Sequence, residues 1–166
     1  MTSILITGAG RGLGHELARQ AMALGWTVHG SVRHAGSAPA GVREMLFDVR
    51  DRAAIVAAAA AFQGALDILI NNAGVIGPTR QSVADMDAEG FATTLAVNTI
   101  GPVNVVQAFL SRLERSSNAR VITLSSWMGS LSHAKEDRLA YRASKAAANR
   151  IVRGMATELR PRGITV

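Results

Sequence analysis

Several residue types are missing or scarce in this chain of 166 residues, and each absence excludes a class of protein. No cysteine is present, which excludes a disulfide framework, a zinc ribbon, an iron–sulfur site and a thiol nucleophile. The longest apolar run, Ala53 to Phe62, is only ten residues long, whereas a membrane-spanning helix needs about 20. The amino terminus has neither the basic segment nor the cleavage site of a signal peptide. We therefore expect a single cytoplasmic domain over residues 1–166, with no membrane contact.

Acidic residues are fewer than basic ones, 12 against 18, which gives a net charge of +6, and aromatic residues make up only 4% of the chain. A nucleic-acid-binding surface concentrates basic residues on one face and places aromatic side chains among them. Here the basic residues are scattered from Arg11 to Arg162. This distribution argues against nucleic acid as a partner and indicates exposed helix faces, with a few arginines available for an anionic ligand.

Short runs of β-branched residues alternate with long helical stretches, a pattern typical of βα units around a parallel sheet. The run Ile68 to Ile70 is apolar throughout, as expected when helices cover both faces of a strand. The sequence therefore predicts a doubly wound α/β domain. Strands are predicted at Ser3–Thr7, Thr27–Val32, Glu44–Phe47, Asp67–Asn71 and Arg120–Ser125, and helices at Gly12–Leu24, Ala53–Phe62, Ala88–Glu114 and Leu139–Arg160.

The ends of the first and last helices carry specific signals. Apolar residues of the first helix recur near helical spacing, which predicts a buried face made of Leu13, Leu17, Met22 and Leu24. Gly25 follows as the expected residue after the helix C-cap. Pro161 and Gly163 end the last helix, and Ile164 then begins a further strand. Because a domain rarely ends where a strand begins, we expect the sheet to continue in residues that this chain lacks.

The first strand leads directly into a glycine-rich turn before the first helix. Glycine allows the backbone to approach a pyrophosphate, and the helix N-terminus supplies unpaired N–H groups and a partial positive charge. The turn does not match the G-x-G-x-x-G fingerprint, but it fits T-G-x-x-x-G-x-G from Thr7 to Gly14. A flexible turn without a ligand is the alternative, which the four glycines disfavour. The predicted phosphate-binding residues are Gly8, Gly10, Arg11, Gly12, Leu13 and Gly14.

No Asp or Glu occurs between Trp26 and Arg43, where an acidic residue would bind the ribose 2′-hydroxyl of NAD. Arg33 and His34 follow the second predicted strand instead, and Arg11 lies within the glycine turn. A guanidinium binds a phosphate through two parallel hydrogen bonds. The sequence therefore favours NADP(H) over NAD(H), the alternative being that these arginines are exposed residues without a ligand.

Tyr141, the only tyrosine, and Lys145 lie four residues apart on the last predicted helix, so they share a face. A free phenol has a pKa of about 10. An ammonium about 4 Å away, at an effective dielectric of about 20, favours an ionised phenol by about 4 kcal/mol. That energy corresponds to about three pKa units, enough to make a phenol a proton donor near neutral pH. The spacing alone is common on exposed helices, so neighbouring motifs must decide its meaning.

Five motifs occur in a fixed order along the chain, namely Thr7–Gly14, Asn71–Gly74, Asn98, Ser125–Ser126 and Tyr141–Lys145. Together they resemble the classical short-chain dehydrogenase/reductase family over the whole chain. Gly10–Gly14, Ser125–Ser130 and Tyr141–Asn149 are most similar to its C-factor/sniffer-like, carbonyl-reductase-type branch. The resemblance implies a Rossmann-like sheet of order 3-2-1-4-5-6, which this chain would leave incomplete at the sixth strand. It also implies an NADP(H)-dependent oxidoreductase that interconverts a carbonyl and an alcohol.

The resemblance implies four catalytic residues. Tyr141 would give a proton to the substrate carbonyl oxygen as hydride arrives from the nicotinamide, and Lys145 would favour the ionised phenol and contact the nicotinamide ribose. Ser126 would donate a hydrogen bond to the substrate oxygen. Asn98 would position a water that connects Lys145 to solvent.

Further cofactor contacts follow from the same resemblance, which counts Tyr141 and Lys145 among the cofactor-binding residues as well. Asp48 and Val49, after the third strand, would contact the adenine. Asn72, Ala73 and Gly74, after the fourth strand, would lie beside the adenosine ribose. The four histidines have no metal-ligand spacing, so no metal is expected.

Two departures from the family pattern leave alternatives open. The 15-residue interval from Ser126 to Tyr141 exceeds the commonest spacing, and strand alternation would direct only one of Ser125 and Ser126 into the site. The family also continues past Ile164 with a loop that covers the substrate. A cofactor-binding signalling or sensor protein without turnover is therefore the alternative function. The resemblance leaves the oligomeric state open, because it implies a possible homo-oligomer, either a dimer or a tetramer, whereas monomers occur in this branch.

Overall fold

The computed structural model describes residues 1–133 and 135–166, and these form one parallel sheet of five strands with helices on both faces. The strands are β1 (Ser3–Ile6), β2 (Thr27–Val32), β3 (Arg43–Leu46), β4 (Ile68–Asn71) and β5 (Arg120–Thr123). The helices are α1 (Gly12–Ala23), α2 (Arg52–Ala61), α3 (Ala88–Leu95), α4 (Gly101–Leu113) and α5 (Leu139–Leu159). A π-helical turn at Ala96–Ile100 joins α3 to α4, and short 3-10 helices lie at Trp127–Gly129 and Arg160–Arg162.

The strand order is β3-β2-β1-β4-β5, which confirms the predicted order for its first five strands. In β1, Ile4 pairs with Val28 on one side and with Ile68 on the other. The order reverses between β1 and β4, and such a reversal opens a ligand-binding crevice at the carboxyl ends of the strands. Beyond β5, Thr165 forms a parallel bridge with Arg120, so residues 164–166 begin to pair at the edge where the sixth strand is expected.

The core consists of two apolar layers, one on each face of the sheet. Leu5 and Leu69 pack in the larger layer with helices α2, α4 and α5, whereas Ile4, Ile6 and Ile70 pack against α1. Successive side chains of a strand point to opposite faces, so the central strands must be apolar at every position. This explains the continuous apolar runs in the sequence.

Helix α1 buries small residues, Gly14, Ala18 and Ala21, on the sheet. The predicted buried face is therefore wrong at its ends, because Leu13 is 59% exposed and Leu24 is 66% exposed. Leu17 and Met22 do pack against the core, as predicted. Gly25 follows the C-cap with φ of +75°, which confirms its expected role in ending the helix.

The helix predicted over residues 88–114 is present as one uninterrupted helical segment, with the π-helical turn in its middle. Such turns are rare and occur frequently at functional sites. In the part of the chain that the structure describes, no helix combines the length and apolar character needed to cross a membrane.

Candidate active site

The glycine turn is held by the three central strands of the sheet. Thr7 Oγ1 accepts hydrogen bonds from the backbone N–H groups of Asn72 and Ala73, both at 3.0 Å. The Asn72 side-chain nitrogen donates to the carbonyl oxygens of Thr7 at 2.8 Å and Gly8 at 3.2 Å. The Gly8 N–H donates to Ser31 Oγ of β2 at 3.0 Å. Asn72 therefore supports the turn directly, a role that the sequence did not indicate.

Glycine is required at specific positions of this turn. A Cβ on Gly14 would overlap the carbonyl oxygen of Gly8 and the side chain of Asn72. Gly8 and Gly12 have φ values of +72° and +58°, which favour glycine. Nothing lies within 4 Å of the position of a Cβ on Gly12. The turn thus leaves open backbone at the N-terminus of α1, which fits a pyrophosphate group.

A cleft of about 730 Å³ lies beside the glycine turn, at the carboxyl ends of β1 to β4. All twelve predicted residues of its phosphate, ribose and adenine parts line it, namely Gly8, Gly10, Arg11, Gly12, Leu13, Gly14, Arg33, Asp48, Val49, Asn72, Ala73 and Gly74. Lining residues that were not predicted as binding residues are Ser31, Val32, His34, Ser37, Phe47, Arg50, Val75, Thr93 and Val97. Of these, Val32 ends β2 and Phe47 directly follows β3, and that position at the carboxyl end of a strand is the signal that could have identified them.

The charges at one end of the cleft favour an anion. Arg50 forms an ion pair with Asp48 at 2.9 Å. This hydrogen-bonded guanidinium holds the pKa of the Asp48 carboxyl below its usual value, with a smaller contribution from the charge of Arg33. Within residues 1–133 and 135–166, the exposed side chains of Arg11 and Arg33 make no hydrogen bond or ion pair. Two guanidinium groups are therefore available to a bound phosphate.

A smaller cavity of about 240 Å³ adjoins the cleft, and it contains Tyr141 and Lys145. Its lining comprises Leu13, Asn72, Gly74, Val75, Ile76, Leu124, Ser125, Tyr141 and Lys145. Four of these residues, Leu13, Asn72, Gly74 and Val75, also line the larger cleft. The phenol and the ammonium thus lie beside the glycine turn, although α5 begins only at Leu139, far along the chain from Gly14.

Lys145 is only 6% exposed, and its Nζ lies 5.8 Å from the centroid of the Tyr141 ring. Nζ donates a hydrogen bond to the carbonyl oxygen of Leu124 at 2.7 Å. Burial lowers the pKa of Lys145 because it removes the charged amine from water. An ammonium has three donors, so two remain for a ligand after the bond to Leu124.

Asn98 lies in the π-helical turn and is 2% exposed. Its side-chain nitrogen donates to the Val75 carbonyl oxygen at 2.8 Å and to Ser144 Oγ at 2.9 Å, while Oδ1 accepts from the Val75 N–H at 2.9 Å. Ser144 Oγ in turn donates to the carbonyl oxygen of Tyr141 at 2.7 Å. Asn98 therefore connects the segment after β4 to helix α5, and it lines neither cavity.

Ser125 and Ser126 occupy different environments. Ser125 lines the smaller cavity, and its hydroxyl donates to Asn149 Oδ1 at 2.5 Å. Ser126 lines neither cavity, and its Oγ accepts a hydrogen bond from the Met128 N–H at 3.2 Å. A hydroxyl has one donor, so the proton of Ser125 is already used, whereas that of Ser126 makes no hydrogen bond within the described residues.

A nucleotide-sized cleft on a 3-2-1-4-5 sheet, beside a tyrosine and a lysine on one helix, matches a known family of proteins. A family model described as short chain dehydrogenase covers residues 2–166. The chain belongs to this family. The family predicted from the five motifs is thereby confirmed.

Individual relatives agree with the predicted branch. C-signal of Myxococcus xanthus is 44% identical over 101 residues, which are 60% of this chain and 60% of that protein. The NADPH-bound carbonyl reductase from chicken fatty liver superposes with a TM-score of 0.89 at 28% identity, over 99% of this chain and 76% of that one. Carbonyl reductase Sniffer of D. melanogaster gives a TM-score of 0.89 at 26% identity, over 99% and 77%. The region matched to C-signal covers less than two thirds of the length of that protein.

Proposed function

We propose that this chain carries the cofactor site and the proton-transfer residues of an NADP(H)-dependent oxidoreductase that interconverts a carbonyl and an alcohol. The observation that supports this most strongly is the shared lining of the two cavities. Tyr141 and Lys145 line the smaller cavity together with Leu13 and Gly74. Leu13 and Gly74 also line the nucleotide-sized cleft. A bound nicotinamide cofactor supplies the hydride, and the protein supplies binding, orientation and electrostatics.

The residues of the cleft suit NADP(H) in particular. The glycine turn and the N-terminus of α1 would hold the pyrophosphate, and Arg11 and Arg33 would hold the 2′-phosphate. Asp48 and Val49 would contact the adenine, and the segment Asn72–Gly74 would contact the adjoining ribose. The NADPH in the chicken carbonyl reductase supports the same preference here.

Proton transfer is assigned to Tyr141. Its phenol would donate a proton to the oxygen of a carbonyl bound in the smaller cavity, and it would accept one in the reverse direction. The positive charge of Lys145, with Nζ 5.8 Å from the ring centroid, favours the phenol as a proton donor. The two remaining N–H groups of Lys145 would reach the nicotinamide ribose and a water.

Ser126 and Asn98 are assigned supporting roles. Ser126 lies next to Ser125 of the smaller cavity without lining that cavity itself, and it would donate a hydrogen bond to the substrate oxygen, for which its hydroxyl proton remains available. Both amide donors of Asn98 are used by Val75 and Ser144, so only the second lone pair of Oδ1 is left to hold a water near Lys145. Asn98 would thus act mainly by holding the segment after β4 against α5.

The test compares the wild-type protein with Tyr141→Phe, using loss of NADPH absorbance with a panel of aldehydes and ketones. We expect turnover by the wild type and a loss of at least about 100-fold in kcat for the variant, because a general acid contributes about that much. NADPH binding, measured by fluorescence, should stay unchanged in Tyr141→Phe and serves as the control. A wild-type protein that binds NADPH yet reduces no carbonyl would contradict the proposal.

The similarity to C-signal favours one second candidate, a signalling or sensor protein that binds the cofactor without turnover. In that case NADPH would bind without being consumed, and it would change the binding of a protein partner. The presence of Tyr141 and Lys145 in one cavity favours the enzyme, because mere nucleotide binding needs no proton donor beside the cleft. A cytoplasmic location and a homo-oligomeric state stay predictions from the sequence.

A further inference from the structure

Helix α5, which carries Tyr141, begins without a capping side chain of its own. The residue before it, Arg138, has φ of +52° and makes no side-chain capping bond within the described residues. The first N–H groups of a helix have no partner inside the helix, and a side-chain oxygen at the N-cap normally accepts from the second or third of them. In α5 the third is the N–H of Tyr141 itself.

Gln81, which precedes Tyr141 by 60 residues, supplies the missing cap. Its Oε1 accepts a hydrogen bond from the Tyr141 N–H at 3.1 Å, and its backbone carbonyl oxygen accepts from the Leu139 N–H at 3.4 Å. Its Nε2 donates to the carbonyl oxygens of Ile76 at 3.1 Å and Pro78 at 2.6 Å. The amide orientation is determined by these partners, because the nitrogen faces two acceptors and the oxygen faces a donor. Gln81 is only 7% exposed, and its side-chain hydrogen bonds are partly buried.

The chain around Gln81 is shaped for this contact. Gly77 has φ of +94°, and a Cβ there would lie 2.8 Å from Thr94 Oγ1 and 3.2 Å from Gln81 Nε2. The turn from Ile76 to Pro78 can therefore enclose the amide only because residue 77 is glycine. Ile76 also lines the smaller cavity with Tyr141. One side chain thus connects the wall of that cavity to the backbone of the proposed proton donor.

We propose that Gln81 is a positioning residue for Tyr141, acting by capping α5 from a distant segment and thereby fixing where the phenol lies in the smaller cavity. This inference rests on the proposed function, because a position matters for turnover only if Tyr141 transfers the proton. Small displacements of a reacting group cost large factors in rate. Its hydrogen bonds to Tyr141 and to the Ile76 carbonyl oxygen also explain why Gln81 is buried in a loop rich in exposed side chains.

Three variants separate capping from general stability. Gln81→Met removes both the acceptor and the donors at similar length, whereas Gln81→Asn keeps a side-chain amide, with its acceptor and its donors, that is one methylene shorter. Gln63→Met is the matched control, because Gln63 is exposed and, in the part of the chain that the structure describes, its side chain bonds only the Ala61 carbonyl oxygen. The readouts are hydrogen exchange at the Tyr141 amide, the Kd for NADPH, and kcat per bound NADPH with its KM for the carbonyl.

We expect the Tyr141 amide to exchange about fivefold faster in Gln81→Met, because a lost helix cap costs about that factor. The value of kcat should fall about tenfold while the Kd for NADPH changes less than about twofold, since the cleft does not include Gln81. Gln81→Asn should recover part of both losses, and Gln63→Met should match the wild type. A fall in kcat per bound NADPH that follows the exchange rate of the Tyr141 amide across the variants, while the Kd for NADPH stays constant, is a result that loss of general stability would not produce.

Two results would overturn the inference. Equal Tyr141 amide exchange in Gln81→Met and Gln63→Met would show that Gln81 does not cap α5. An active wild type whose kcat is unchanged in Gln81→Met would show that the cap does not position the phenol. A wild type that binds NADPH without turnover would contradict the proposed function instead, and the exchange comparison alone would then decide whether Gln81 holds Tyr141. If Gln81→Met fails to fold, Gly77→Ala, which displaces the same amide, replaces it in each comparison.

Discussion

Gly129 lies so close to the backbone of Lys145 that a Cβ on Gly129 would be 2.8 Å from the Lys145 carbonyl carbon and 2.9 Å from its Cβ. The short 3-10 helix that contains Gly129 can therefore approach α5 only through a residue without a side chain. This contact brings the segment after β5, including Leu124, Ser125 and Ser126, to the face of α5 that carries Lys145.

Gly129→Ala should accordingly separate this segment from α5. We expect a loss of about 1–3 kcal/mol in the free energy of unfolding, as for other overpacked contacts, and a larger fall in kcat than in NADPH affinity. The control is Gly154→Ala on the same helix, where nothing lies within 4 Å of an added Cβ. That change should stabilise the protein by about 0.5–1 kcal/mol, because alanine is the better helix former. Equal unfolding midpoints in urea for the two variants would contradict this account.

Thr7→Val should weaken the attachment of the glycine turn to β4. The change keeps the shape of a residue that is 1% exposed but removes the acceptor of the Asn72 and Ala73 N–H groups. We expect a loss of about 1–3 kcal/mol in the free energy of unfolding, together with weaker NADPH binding, since partly buried donors lose their partner. Thr27→Val is the control, because within the described residues the Thr27 hydroxyl bonds only the sulfur of Met1. Chemical denaturation of both variants tests this, because only Thr7→Val should lower the free energy of unfolding by that amount.

His29 should make the stability of the protein depend on pH in the acid range. It is 9% exposed on β2 and packs on Phe62, and burial with the nearby charge of Arg43 lowers its pKa to about 4. In the unfolded chain the pKa of this histidine is about 6.5. Between that pH and pH 4, the unfolded chain binds a proton that the folded chain does not, so the free energy of unfolding falls as the pH falls. The total loss is about 3 kcal/mol.

The measurement for His29 is urea denaturation of the wild type and of His29→Phe between pH 7 and pH 4. Phenylalanine keeps the ring contact with Phe62 and removes the titrating group. The wild type should lose more stability over this range than the variant. Parallel curves for the two proteins would show that His29 is not the source of the pH dependence.

Arg33→Ala should change cofactor preference. If the exposed guanidinium at the cleft binds the 2′-phosphate, its loss should raise the Kd for NADPH about tenfold or more and leave that for NADH nearly unchanged. Arg153→Ala, at an exposed position on α5 outside the cleft, is the matched control. An equal loss of affinity for both cofactors in Arg33→Ala would count against the assignment.

The two serines after β5 should contribute unequally to turnover. Ser126→Ala is expected to lower kcat at least about tenfold, because its hydroxyl proton is available to the substrate oxygen and one such donor is worth that much. Ser125→Ala should have the smaller effect, since the Ser125 proton is used by Asn149. Steady-state kinetics with one carbonyl substrate compare the two, and the reverse order would assign the substrate contact to Ser125.

Much of the fold could be predicted from local pattern. Each predicted strand and helix is present with its ends within about two residues, the usual uncertainty of such boundaries. The glycine turn and the pair Tyr141 and Lys145 were also evident, because a turn between strand and helix, or a spacing of one helical turn, involves only neighbouring residues. The exposure of Leu13 and Leu24 could not be predicted, because helical periodicity identifies a face of the helix but not which residues are small enough to pack on the sheet.

What the tertiary structure alone decided is how distant segments support one another. Strand order brings Thr7 against Asn72, and loop geometry brings Gln81 against Tyr141, at separations of 65 and 60 residues. Nothing near Gln81 in the sequence distinguishes it from the exposed Gln63, because a hydrogen-bond partner in another segment is chosen by packing and not by adjacent residues. The sequence by itself determined which side chains carry the proposed chemistry. The folded chain determined where they are held, because their partners are set by long-range contacts that no local pattern encodes.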